Sequence, residues 1–363
     1  MLTPRENFLK MMRRDKPRWI PMDLPCTPPV EDLIKKKTGS QDVVKVFQTD
    51  FRGVGVTPKE DLALWRKAHK ALGFMPTGNT EMWSYGMVLQ KPPPETLGSA
   101  THLLEWLHPL ASVTDVGQLE KLPWPDMADP KHYTEIPTAV ASSHAEGLPI
   151  TAWRACTVFE DSWYQRGMDN LFGDLIEENG IGDWLLNWFT QRSIHVVTAY
   201  ARAGADIICL GDDVGTQRGM LMSVDFWRKH LKPRLQRVIN AIRNAQREHV
   251  WIFYHSDGDM RAVVPDLIEM GIDILNPVQP ECIPLAEFIP VYKDQTAFWG
   301  MIGTQTTMPF GKPDDVRSAV ADCARWARDG APLIVCPTHV LEPDVPWENI
   351  VALAEAVHKE KLW

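Results

Sequence analysis

PITAWRAC at residues 149–156 is a short apolar run that turns polar at its end. DIICLGDD (206–213), VWIFYHSD (250–257), IDILNPVQ (272–279), TAFWGMIG (296–303) and PLIVCPTH (332–339) follow the same plan. The apolar part of each run has the length of a strand. Segments with helical periodicity separate most of them, at 169–178, 183–203, 223–247, 261–270, 313–329 and 346–360, while the connection 277–295 is only weakly helical. Apolar strands alternating with helices describe a parallel sheet covered by helices. Six such units, joined by a strand or two from the N-terminal part, where strand-like stretches lie near 18–23, 50–57, 82–90 and 101–108, predict a closed (β/α)8 TIM barrel. An open doubly wound sheet is the competitor, but no GxGxxG follows any of the runs.

Working outward from these runs, residues 1–16 read as a helix with Thr3 as cap and Pro4 in the first turn. From about 17 to 148 the chain reads as irregular and Pro-rich. EMWSYGMVLQ (81–90) and HLLEWLHPL (102–110) look like hairpin arms joined by KPPPETLGSA (91–100). The expectation is one barrel domain over 1–363, with 50–148 as an N-terminal insertion covering the barrel mouth.

Of 363 residues, 44% are hydrophobic, which excludes intrinsic disorder. No transmembrane run and no signal-like apolar stretch at the start are present, so a cytoplasmic protein is expected. A net charge of −9 argues against nucleic acid and anionic membrane as partners. The six cysteines form no CxxC pair, which excludes a disulfide framework and a zinc finger.

In a barrel of this kind chemistry belongs at the carboxyl ends of the strands. There the sequence offers Arg154 and Tyr164; Asp212, Asp213, Gln217 and Arg218; His255 and Asp257; Glu281; Gln305; and Cys336 and His339. His255, Asp257, Glu281 and Cys336 can converge as nitrogen, oxygen and sulfur ligands of zinc; alternatively, His255 and Asp257 bond their own loop and Cys336 is a core thiol. Asp212 and Asp213 are the candidate catalytic acids, with loop capping as the other reading. Arg154 and Arg218 can grip a substrate carboxylate or form structural ion pairs. Tyr164, Gln217, Gln305 and His339 complete the candidate substrate contacts. Trp153, Trp163, Trp299 and Met301, near the strand mouths, read as core more readily than as substrate wall.

At these residues the chain resembles the uroporphyrinogen decarboxylase superfamily, which includes zinc-dependent, corrinoid-linked methyltransferases. The likeness runs through TPRENFLKMMRRDKPRWIPMD (3–23), TVFEDSWYQRGMDN (157–170), GDDVGTQRGMLMSVDFWRKHLKPRLQRVI (211–239), FYHSDGDMRAVVPDLIEMGIDILNPVQPEC (253–282), GTQTTMPFGKPDDVRSAV (303–320) and CPTHVLEPDVPWENIVALAEAV (336–357). It implies the barrel already reached from alternation. The decarboxylase branch carries a basic RxRQAGR-like stretch near its N-terminus. The matching Trp19–Pro25 region here has no arginine.

The thiol-methylating branch carries His-x-Cys and a later Cys. His255 and Cys336 match the first and last, and Asp257 stands in the middle position, with Glu281 as the fourth or substitute ligand. The resemblance therefore implies zinc as Lewis acid and a methyl donor, expected to be a small O-methyl aromatic, demethylated onto the corrinoid of a separate protein. No DxHxxG segment of the corrinoid-holding kind occurs in the chain, and a homodimer is left open. The alternatives are a metal-independent decarboxylase or other lyase acting on a carboxylated substrate, and a noncatalytic ligand-binding barrel.

Overall fold

The computed structural model describes residues 2–91 and 105–362. Seven strands form one parallel sheet in chain order: β1 (Arg52–Gly55), β2 (Ile150–Arg154), β3 (Ile207–Gly211), β4 (Trp251–His255), β5 (Ile274–Asn276), β6 (Ala297–Ile302) and β7 (Leu333–Pro337). All six apolar runs of the sequence are strands of this sheet. The two edges meet through the segment around Met22. Val335 N donates to Pro21 O (2.9 Å) and Asp23 N to Val335 O (3.0 Å), and on the other side Asp50 N donates to Met22 O (2.9 Å). The segment acts as the eighth stave, and the sheet closes into a barrel.

Alternation along each strand sorts side chains into two cores. Phe51, Ile207, Cys209, Phe253, Ile274, Trp299, Ile334 and Cys336 fill the inside of the barrel. The other face of each strand packs against the surrounding helices. Helix Pro4–Met12 plugs the bottom with Phe8 and Met12, and its start is fixed as expected by Thr3 and Glu6, which bond each other's backbone N–H. It ends sooner than the sequence suggests: Arg14 and Lys16 take left-handed backbone, and Pro17 follows.

The stretch 17–148 is more helical than expected. Helices span Pro28–Thr38, Val43–Phe47, Leu62–Ala71, Val116–Glu120 and Ile136–Ala145. Three of the prolines that suggested irregularity, Pro28, Pro29 and Pro137, lie in first turns, where a missing N–H leaves nothing unbonded. Val88–Gln90 pairs antiparallel with Glu105–Leu107, joining the two expected arms, and the first arm also folds back on itself through Thr80–Met82. Most of the connection between the arms, with His102–Leu104, lies outside the described residues. β1 itself falls within 50–148, so barrel and insertion interleave there. The antiparallel sheet docks on helix Phe159–Arg166: Trp106 stacks on Tyr164 at 4.3 Å, and Gln165 Nε2 donates to Tyr85 O.

Asp50 holds the closing segment with both carboxylate oxygens, accepting from Trp19 Nε1 (2.9 Å) and Met22 N (2.8 Å). Asp50→Ala strands these two donors and is expected to cost about 2–4 kcal/mol in chemical denaturation; an unchanged midpoint would show that the closure does not depend on it.

His69 on helix Leu62–Ala71 is buried beside Trp65 and Phe74, and neither ring nitrogen has a hydrogen-bond partner among the described residues. Burial lowers its pKa from 6.5 to about 4. Below pH 6.5 the unfolded chain then binds a proton that the fold refuses. His69 is therefore expected to make stability fall as pH drops from about 6.5 toward 4. His69→Phe should flatten that part of the stability profile, and an identical slope in the variant would contradict it.

Candidate metal centre at the barrel mouth

His255 ends β4 and faces inward on the uppermost tier, two residues above Phe253. Its register neighbours are Gly211 on β3 and Asn276 on β5. Gly211 is required there, because a Cβ at that position would lie 2.7 Å from both the Cβ and the backbone oxygen of His255. Asn276 fixes the imidazole. Its Nδ2 donates to Trp299 O (3.0 Å), which leaves Oδ1 facing His255 Nδ1 at 2.5 Å. Nδ1 must then carry the proton, and Nε2 presents its lone pair to the mouth.

Nε2 looks toward Asp213 Oδ1 at 3.6 Å and Asp257 Oδ1 at 3.7 Å. These spans exceed a hydrogen bond but suit donors placed around a cation. Burial opposes a charge on His255, yet the carboxylates of Asp257 and Asp213, with Asn276, outweigh it and raise its pKa above the usual histidine value. The spot favours positive charge. His339, just beyond β7, brings a third donor: ligand atoms of His255, Asp257 and His339 all lie within 4.8 Å of one another. Zinc holds nitrogen and oxygen at about 2.0–2.2 Å, so the three fit it after a small inward contraction.

The loops that carry these groups are knitted together. Asp257 N donates to Asp213 Oδ1 (2.7 Å), Val214 N to Ser256 Oγ (3.0 Å) and Gly258 N to Gln279 Oε1 (3.2 Å). Gly215 and Gly258 let the two chains touch: a Cβ on Gly215 would lie 2.6 Å from Asp257 O, and one on Gly258 2.6 Å from Thr216 O.

The other sequence candidates occupy different places. Asp212 is buried and accepts from the backbone N–H of Val158, Phe159 and Glu160 at 2.8–3.2 Å, so it caps helix Phe159–Arg166 across the barrel top. Arg154 is engaged by Asp161, Ser193 and the carbonyls of Ala155 and Cys156. Tyr164 donates to Glu160 Oε1 (2.7 Å). Glu281 Oε1 accepts from Gln305 N (3.2 Å) and Thr306 Oγ1 (2.9 Å), so its carboxylate pins the loop after β6 and lies outside the His255 group. The side chains of Gln217, Arg218 and Gln305 are exposed on loops. Cys336 is also outside the three-donor group: it sits in the interior tier, with burial pushing its thiol pKa up while a hydrogen bond from Trp299 pulls it down.

Beneath the donors lies a cavity of about 190 Å³ lined by His255, His339, Asn276, Cys336, Trp153, Trp299 and Asp23, among others. Sequence reasoning missed Asn276 and Asp23. The signal for Asn276 was its place one strand over from His255, at the same height above the apolar run.

His255→Ala is expected to abolish zinc retention with the far-UV circular dichroism unchanged. Asn276→Ala, which frees the imidazole to rotate, should weaken zinc about 10–100-fold in a chelator competition. Wild-type affinity in both variants would sink this ligand assignment.

Similarity to known proteins follows the same architecture. Methylcobamide:CoM methyltransferase MtaA of Methanosarcina barkeri is 27% identical over 181 residues, which is 50% of each chain, so the protein spans about half the length of that relative. A solved methyltransferase structure from Methanosarcina mazei superposes over 99% of both chains with a TM-score of 0.63 at 17% identity, a likeness of fold. The uroporphyrinogen decarboxylase (URO-D) family model matches residues 151–360, the span that holds β2–β7 and all three donors of the candidate centre. With more than half of its length inside that match, the chain belongs to the uroporphyrinogen decarboxylase family.

Proposed function

We propose that the protein is a zinc-dependent methyltransferase that moves a methyl group between a small methylated molecule and the cobalt of a corrinoid carried by a separate protein. The observation that carries this reading is the orientation of His255: a locked imidazole whose Nε2 faces two carboxylates, with His339 alongside, directly over an aromatic-walled cavity. A cavity of about 190 Å³ is smaller than the usual drug-sized pocket of roughly 300–1,000 Å³, which suits a compact substrate. Likeness to a methylcobamide:CoM methyltransferase supports methyl transfer as the chemistry.

His255, Asp257 and His339 would hold the zinc, which when bound supplies a Lewis acid for a substrate heteroatom. Asp213 positions the set: its Oδ1 fixes the Asp257 backbone and faces Nε2. The antiparallel sheet of the 50–148 stretch, docked through Trp106 and Tyr164, would help to shield the mouth from water. The departing oxygen of the O-methyl aromatic donor expected from the sequence has to be activated by the zinc or by an acid. Asp212 is committed to three backbone N–H groups and is not that acid. Decarboxylation of an anionic substrate finds little support, since no lysine or arginine is among the cavity-lining residues.

Zinc-loaded protein mixed with reduced cobalamin and methylated donors should show the optical change of cobalt methylation, lost on chelation and restored by zinc. Asp213→Asn should slow it at least about tenfold while moving the melting temperature by no more than about two degrees. Methylation of cobalamin that ignores the metal, or none with any donor class, would overturn the proposal.

A further inference from the structure

The cavity under the donors has an uneven chemistry. Two indoles, Trp153 and Trp299, line it, and each stands edge-on to Phe253, with ring centroids 5.6 and 5.4 Å away. That shared contact fixes both planes. Trp153 is 38% exposed although it sits at the end of a barrel strand, so part of its ring is left uncovered by the protein. The cavity wall holds one carboxylate, Asp23. Asp212, Asp213 and Asp257 stand nearby but do not line it.

Asp23 accepts a hydrogen bond from the N–H of Leu24 (2.9 Å) at Oδ1 and has no ion-pair partner among the described residues. Another acid, Asp50, stands close to it, the thiols of Cys26, Cys209 and Cys336 nearby are kept neutral by burial, and His255 and His339 line the same cavity at its mouth. Burial pushes Asp23 itself up to about 6. An ionised carboxylate in a confined aromatic space is costly unless a cation joins it.

We infer that this cavity takes a compact methylated cation, an ammonium or a sulfonium, held between the Asp23 carboxylate and the indoles of Trp153 and Trp299. Aromatic faces with a carboxylate are the chemistry that recognises quaternary ammonium groups. The assignment rests on the methyl-transfer reading and names its donor class. A donor of this class carries its own activation. A methyl carbon of the onium bonds to the reduced cobalt, which supplies both electrons and is oxidised from Co(I) to Co(III). The C–N or C–S bond breaks, and its electron pair remains on a neutral amine or thioether. No acid is required.

The test is calorimetric titration of the zinc-loaded protein with choline and with dimethylbutanol, its uncharged carbon isostere. Choline should bind about tenfold or more tightly than the isostere. Asp23→Asn should remove that preference while leaving zinc content and isostere binding unchanged. Trp153→Leu, at a half-exposed ring, should weaken choline more than the isostere and guards against a fold defect in the Asp23 variant. Equal binding of the two probes overturns the assignment. So does a preference that survives Asp23→Asn, or an Asp23 variant that loses turnover on a neutral ether with its binding intact. Selective choline binding without methylation of cobalamin by any donor leaves the cation site standing and counts against methyl transfer instead.

Discussion

The hydrogen bond between His255 Nδ1 and Asn276 Oδ1 decides what the top of this barrel can do. An imidazole has two chemically distinct nitrogens, and a side chain free to rotate offers either of them in many directions. Here the amide of Asn276 is itself fixed by a strand carbonyl, so it can only accept, and the ring turns its basic nitrogen toward two carboxylates. Three adjacent strands build this arrangement through register alone: Gly211 leaves the space, His255 fills it, and Asn276 aims it.

The rest of the molecule keeps those strands in register. Inside the barrel, the aromatic rings of Phe51, just before β1, Phe253 on β4 and Trp299 on β6 pack together, with Trp299 touching both others. The bottom is plugged by the first helix, and the last gap is closed by the segment bonded through Asp50. Two loops then press together at paired glycines, which brings Asp213 to the backbone of Asp257. Rigid staves below and tied loops above are what a preorganised centre needs.

Much of this was legible in the sequence, for a physical reason. Strands of a barrel are buried on both faces and read as continuous apolar runs, so all six downstream strands and the polar groups at their ends stood out. His255 and Asp257 were visible on the same grounds. The helices between 17 and 148 were not, since prolines in a first turn mimic an irregular chain. Side-chain partners were harder still. Asp212 and Asp213 are adjacent in sequence, but one caps a helix more than fifty residues upstream and the other faces the histidine. Arg154 proved to be tied to Asp161, and Glu281 to the loop after β6, because each found a nearer partner than a substrate. Asp23 gives no local signal at all: it enters the cavity only because its segment closes the barrel.

The proposed zinc centre turns on which atoms would hold the ion. Cys336 lines the same cavity as His255, but it belongs to the barrel interior, whereas His255, Asp257 and His339 converge above it. X-ray absorption at the zinc edge of the loaded protein separates the two arrangements most directly. The account predicts a first shell of nitrogen and oxygen alone at about 2.0–2.2 Å. A sulfur scatterer at about 2.3 Å would contradict it and place the Cys336 thiolate on the metal.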